Sequence, residues 1–285
     1  MWPSIIGVGR SCVVTSTDRT TALKGHQVWE DGRLRATCEH ESKEVLAREA
    51  LAREALVYKH LGEHPCILRC YGLVEIHPGV NSLLLEYSGL GDVRRFIKEE
   101  TPSPLSRGRR LQMALDAAMG LSHIHKMGVQ HCDMNCRNLL LFDNFGVKIA
   151  DFGGSLIQGH DELEPIVYEA AAYELPCRGR EFAKRPARAR ELFALGSAIY
   201  EIMAWRQPFE GLADDEIKGN YAAEVFPNLE GIPASHVIRN CWDEKYTNAD
   251  EIAEELEALI LSGDKRITGY SDTDSSESES ESESD

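Results

Sequence analysis

The sequence predicts an α+β fold on three observations. Strand-length apolar runs, Leu83-Leu-Leu85, Leu139-Leu-Leu-Phe142 and Val147-Lys-Ile-Ala150, are bounded by polar or turn residues. Apolar residues at helical spacing mark residues 46–61 and 111–125, the second stretch ending before Gly128. A chain of 285 residues is long enough to bury a substantial core.

Polar clusters stand at the ends of the two central runs. His131-Cys-Asp133-Met-Asn-Cys-Arg137-Asn138 leads into the first, and Asp151-Phe152-Gly153, eighteen residues after Asp133, leaves the second. Phosphoryl transfer is mostly the positioning of an attacking hydroxyl and the neutralisation of phosphate charge. It therefore needs a carboxylate facing the hydroxyl and hard oxygen ligands that hold magnesium beside it. Asp133 is assigned the first role, and Asn138 and Asp151 are the expected magnesium ligands, with Asp151 bridging metal and terminal phosphates. On these motifs and their separation the chain resembles the eukaryotic protein kinase superfamily, over about residues 5–262. The resemblance implies a two-lobed fold, with residues 1–86 as a small β-rich amino-terminal lobe with one long helix and residues 87–262 as a larger, mainly helical lobe. It also implies ATP and Mg2+ as cofactors and a protein hydroxyl as acceptor.

Taken in chain order, the other elements of that family are expected as follows. Ile6-Gly7-Val-Gly9-Arg-Ser-Cys12-Val-Val14 resembles the glycine-rich lid, where missing side chains let backbone amides approach phosphate oxygens. Gly7 and Gly9 keep that role, Val14 would cover the adenine, and Cys12 stands where a third glycine is expected. Ala22-Leu-Lys24 resembles the strand whose lysine contacts phosphate and pairs with a helical glutamate, with Ala22 against the nucleotide. Residues 46–55 read Leu-Ala-Arg-Glu-Ala twice, offering Glu49 and Glu54 as that partner. Five residues turn a helix by about 500°, so the two point about 140° apart and cannot share one role. Glu54, with Ala50 and Leu51 one turn before it and Val57, Tyr58 and Leu61 after it, lies on the apolar stripe and is chosen.

Leu83-Leu-Leu85-Glu86-Tyr87-Ser88-Gly-Leu-Gly-Asp92 looks like the strand and hinge that hold adenine: Leu85 as gatekeeper, Glu86 and Ser88 through their backbone, and Asp92 on the ribose. Leu140 would close the pocket from below. His123 and His125 read as packing or surface residues, because no cluster around them has metal-ligand spacing. Glu191-Leu-Phe-Ala-Leu-Gly196 and Tyr200-Glu-Ile-Met-Ala-Trp205 resemble the family's central buried helix. Glu191 replaces the aspartate that anchors the catalytic loop, and its extra methylene requires a compensating shift.

Two further departures concern linkage and regulation. Cys177 stands where the family has a glutamate and Tyr246 where it has the paired arginine, a joint replacement that leaves no orphan charge. Cys132 replaces the arginine that receives an activation-loop phosphate, so activity is expected without phosphorylation of Tyr168, Tyr173 or Ser155. In the family, serine/threonine kinases carry lysine two residues after the catalytic aspartate, where this chain has Asn135, and Arg137 is more like tyrosine kinases; serine/threonine is nonetheless taken over tyrosine on the breadth of that class. Lys24, Glu54, Asp133, Asn138 and Asp151 all survive, which favours an active enzyme. A pseudokinase serving as a binding scaffold is the alternative, and a small-molecule phosphotransferase a third reading.

The formal charge is −16, of which the serine-rich segment 271–285 supplies seven acids and no base, leaving −9 for the rest. Residues 263–285 are expected to be a disordered tail, since such a composition cannot bury enough apolar surface to offset chain entropy. Its serines lie three residues before acids, as Ser276 does before Glu279, a pattern suited to an acid-directed kinase. The acidity argues against nucleic acid as a partner. No apolar run is long enough to span a bilayer, and Met1-Trp-Pro-Ser-Ile5 lies directly before the glycine pattern, so neither a membrane anchor nor a leader is expected. Eight scattered cysteines without paired spacing suit a reducing intracellular compartment, cytoplasmic or nuclear.

Overall fold

The computed structural model describes residues 4–9, 12–16, 18–37, 41–99, 104–160 and 169–268. Strands β1 (Ser4–Val8), β2 (Val13–Ser16) and β3 (Thr21–Gly25) join β6 (Cys70–His77) and β7 (Val80–Glu86) in one antiparallel sheet of order β1-β2-β3-β7-β6. The β2–β3 connection is closed by Asp18, whose Oδ1 accepts the Thr20 and Thr21 N–H groups at 2.9 Å each. Register places Ala22 opposite Leu85 and Lys24 opposite both Val14 and Leu83, so the lid strand, the lysine and the gatekeeper position share one sheet.

Between β3 and the first helix lies a separate hairpin, β4 (Gln27–Glu30) and β5 (Arg33–Thr37). Its two-residue loop is Asp31-Gly32, at φ 48° and 70°, the positive pair that matches the twist of a tight hairpin. Helix α1 (Glu41–Leu61) buries Ala47, Leu51, Glu54, Tyr58 and Leu61, one stripe at helical spacing, while Glu49 is exposed.

The remaining chain is mainly helical: α2 (Val93–Glu99), α3 (Arg107–Lys126), α4 (Ala187–Ala204), α5 (Asp214–Ala222), α6 (Ser235–Trp242) and α7 (Ala249–Thr268). Between α3 and α4 run the short strands β8 (Val129–Gln130), β9 (Leu139–Leu141), β10 (Val147–Ile149) and β11 (Leu156–Ile157), paired β9 with β10 and β8 with β11. Helix α4 is buried without interruption from Glu191 to Met203, which explains its all-round apolar sequence. A Cβ on Gly196 would fall 2.3 Å from the Cys241 Cβ, so the α4–α6 approach requires glycine there.

Helix α7 runs to Thr268, so the boundary expected after residue 262 falls inside a helix. Its apolar positions Ile252, Leu256, Leu259 and Ile260 pack on the core and carry the helical backbone past the point where composition changes. Residues 269–285, which include most of the expected tail, lie outside the described residues.

The Cys177–Tyr246 region departs from the expectation of a vanished ion pair. Arg178 Nη1 donates to Glu244 Oε1 at 2.6 Å and Arg180 Nη2 to the same oxygen at 2.7 Å. Arg178 also donates to Glu224 and to the Trp242 carbonyl, both at 2.8 Å or less. The two segments are therefore still joined by charge, with the arginines on the Cys177 side and the acid on the Tyr246 side. Neighbouring positions, not the substituted ones, carry the link, which is why reading single positions missed it.

Candidate active site

Antiparallel pairing of Leu139 with Ile149 and Leu141 with Val147 makes a rigid stem, and its ends hold the two polar clusters side by side. His131, fully buried, accepts the Asp133 N–H on Nδ1 at 3.2 Å and presents Nε2 to the Ala150 carbonyl at 3.0 Å. That pairing fixes a tautomer with the proton on Nε2, and it ties the loop before β9 to the loop after β10. Ala150 N–H completes the tie by donating to the Asn138 carbonyl at 2.9 Å.

The Asp133 carboxylate is held from two sides. Asn135 Nδ2 donates to its Oδ1 at 2.7 Å and Asn138 Nδ2 to its Oδ2 at 3.0 Å. Burial pushes the Asp133 carboxyl up to about 6, against the lowering effect of the Asn138 and Asn135 hydrogen bonds. A carboxylate in that range is still ionised at neutral pH and is a stronger proton acceptor than an ordinary aspartate.

On the sheet side, Lys24 Nζ lies 2.7 Å from Glu54 Oε2 and 2.9 Å from Asp151 Oδ1. Burial disfavours the ammonium, but Asp151 and Glu54 outweigh it and hold Lys24 charged. Lys24 in turn lowers the Asp151 carboxyl, whereas burial raises that of Glu54. The Phe152 ring packs between Tyr58 of α1 and His131, with centroids 4.9 and 5.0 Å away, and so fixes the position of Asp151. Cys132 and Asp151 both adopt left-handed backbone, at φ 68° and 66°, a strain that surrounding contacts must hold.

Asp151 fits a magnesium ligand: one oxygen meets Lys24, while its side chain is 51 % exposed toward the cleft. Asn138 spends its amide N–H groups on Asp133, which leaves the amide oxygen as a second hard ligand. Among the described residues no group of three or more His, Cys, Asp or Glu could hold a metal alone. Two oxygen ligands alone would leave most of a magnesium shell to be filled from outside the chain.

Sequence matching assigns this geometry to a family. The family described as protein tyrosine and serine/threonine kinase matches residues 33–257. The chain belongs to it. The kinase is 26 % identical over 212 residues to serine/threonine/tyrosine-protein kinase HT1 of Arabidopsis thaliana, covering 70 % of this chain and 53 % of that protein. It is 31 % identical over 159 residues to mitogen-activated protein kinase kinase kinase 20 of the same plant, covering 52 % and 45 %. With serine/threonine-protein kinase LMTK3 of Mus musculus it shares 30 % over 206 residues, 63 % of this chain and 14 % of that one. The kinase thus spans about half the length of the first two relatives and less of the third.

The remaining positions expected at the nucleotide cleft are placed as follows. Gly9 N–H donates to the Cys12 carbonyl at 2.8 Å, closing the lid turn; Arg10 and Ser11 between them lie outside the described residues. Val14 is half-buried opposite Gly7, and Cys12 is buried as part of the core cluster. Ala22 is buried, and Leu140, half-buried, pairs with Asp92 in an isolated bridge that straps the hinge to β9. Ser88 Oγ adds a bond to the Leu141 carbonyl at 2.5 Å. Asp92 Oδ1 accepts the Arg95 N–H at 2.9 Å at the start of α2.

Three positioning residues escaped the sequence reading. Asn135, noticed only as a departure from lysine, grips Asp133. Glu86 pairs through its carboxylate with Lys148 at 2.7 Å, tying hinge to β10, and nothing in the sequence marks that pair. His125, expected to be a packing or surface residue, lies 2.6 Å from Glu191 Oε2, while Glu191 Oε1 accepts the Cys132 N–H at 2.8 Å. The longer glutamate therefore reaches both a histidine on α3 and the catalytic loop. Of the phosphorylation candidates, Ser155 and Tyr173 are buried and hydrogen-bonded, and Tyr168 lies outside the described residues.

Proposed function

We propose that the kinase is catalytically active and transfers the terminal phosphoryl group of ATP to protein serine and threonine hydroxyls. The observation that carries this is one cleft holding a gripped, raised carboxylate at Asp133 beside the Lys24–Glu54–Asp151 cluster. Asp133 orients the acceptor hydroxyl and takes its proton; Lys24, held charged, binds phosphate oxygens; Glu54 keeps Lys24 in place. Asp151 and Asn138 would hold Mg2+, which when bound neutralises phosphate charge. Gly7, Gly9, Val14, Ala22 and Leu140 enclose the nucleotide, with the Glu86 and Ser88 backbone on the base and Asp92 on the ribose. The serine/threonine assignment draws support from the names of the relatives.

No helix among the described residues is long and apolar enough to cross a membrane. A reducing compartment of the cell is the proposed location, on the scattered spacing of the eight cysteines.

The test is transfer of labelled terminal phosphate to a mixed serine, threonine and tyrosine peptide pool, comparing the native chain with Asp133→Asn. Transfer to serine or threonine that the variant loses is the expected result. Nucleotide binding without transfer by either protein would overturn it in favour of a scaffold.

A further inference from the structure

The catalytic loop lacks a cationic side chain at Cys132, yet the chain from Glu169 onward is held by arginines. Glu169, whose side chain is 7 % exposed, accepts Arg190 Nε on Oε1 at 2.6 Å, and Arg185 Nη2 lies 3.2 Å from Oε2. Arg185 is itself held by the Leu175 carbonyl at 2.5 Å and the Phe182 carbonyl at 3.0 Å. Arg190 directly precedes Glu191, the residue that accepts the Cys132 N–H. Four residues after Glu169, Tyr173 is fixed from the other side by Arg94 Nη2 at 2.8 Å and by Glu201.

An activating phosphate works by adding negative charge that arginines can grip, which orders a segment. A carboxylate between two arginines supplies the same kind of charge-assisted contact without modification. We propose that Glu169, gripped by Arg190 and Arg185, is a positioning residue that does permanently what an activation-loop phosphate does elsewhere. It holds residues 170–175 as a substrate platform and couples them, through the adjacent Arg190 and Glu191, to the backbone of the catalytic loop. Burial pushes the Glu169 carboxyl upward and both arginines act against it, so the anchor is strongest with Glu169 ionised.

The effect on catalysis rests on the activity proposed above, whereas the ordering does not, so the test reads both. Amide hydrogen exchange over 170–175 is measured in the full chain, in Glu169→Gln and in Arg190→Gln, with peptide transfer kinetics on phosphatase-treated protein. The expected result is exchange faster by about tenfold in both variants with α4 unchanged, as for loss of a hydrogen bond to a charged group. Peptide kcat/KM falls about tenfold while the KM for ATP moves less than about twofold, and phosphatase leaves the native rate intact. Unchanged exchange in both variants, or a native rate that phosphatase abolishes, overturns the proposal. Exchange that rises in variants of an inert native protein upholds the anchor and overturns the proposed activity.

Discussion

The Lys24–Glu54–Asp151 cluster in the cleft and the Arg94–Glu201–Tyr173 cluster between α2, α4 and the turn at residues 171–173 use the same kinds of group. In the second, every charge is enclosed and answered: Arg94 Nε and Nη2 meet both Glu201 oxygens at 2.5 and 2.8 Å, and Nη1 meets Gln207 at 3.0 Å. Tyr173 donates its hydroxyl to Glu201, and the three side chains are almost wholly buried. In the first, Asp151 keeps half its side chain open to the cleft, and Asp133 nearby holds a carboxyl raised by burial. A closed network specifies packing; an open one, with charge held but not fully answered, is prepared for something that is not part of the chain.

Breaking each cluster tests that contrast. The largest effect belongs to Asp133→Asn, which is expected to lower phosphotransfer by about 10²–10⁴-fold in a labelled-phosphate assay while the unfolding midpoint stays near that of the native chain. Glu201→Ala should do the reverse, costing about 3–5 kcal/mol in denaturant titration by stranding the Arg94 charge. Within the open cluster, Glu54→Gln is expected to reduce turnover by about tenfold or more, against less than about twofold for the exposed Glu49→Gln; equal effects would refute the choice between the duplicated glutamates.

The pH profile sharpens the same point. Because Asp133 must be ionised to accept a proton and its carboxyl lies up at about 6, kcat/KM should be level near neutrality and fall about tenfold per unit below that value. An ordinary carboxylate profile, flat down to about 4, would contradict it. The smallest effect is expected of Cys132→Ser, less than about twofold in turnover, because Glu191 holds the backbone N–H at this position and not the sulfur.

Much of this was legible in advance. The spacing of Asp133, Asn138 and Asp151, the buried helix around Gly196 and the choice of Glu54 over Glu49 follow from residue type and helical period, which are local properties. The hairpin at residues 27–37, which was not among the expected elements, has a local signal in Asp31-Gly32 between strand-forming runs. The reversed arginine–glutamate link and the role of His125 were not legible, because each joins residues more than 60 apart in sequence.

By itself the sequence determined which residue types stand at Asp133, Asn138 and Asp151, at spacings a short stem can hold, and so the family to which the chain belongs. The tertiary structure alone decided how those groups are held: Asn135 on Asp133, His125 behind Glu191, Lys148 on Glu86 and Arg190 on Glu169. The reason is physical. A side chain's type fixes what it can do chemically, but the partner that raises, lowers or aims it is chosen by which distant segment the fold brings within about 3 Å.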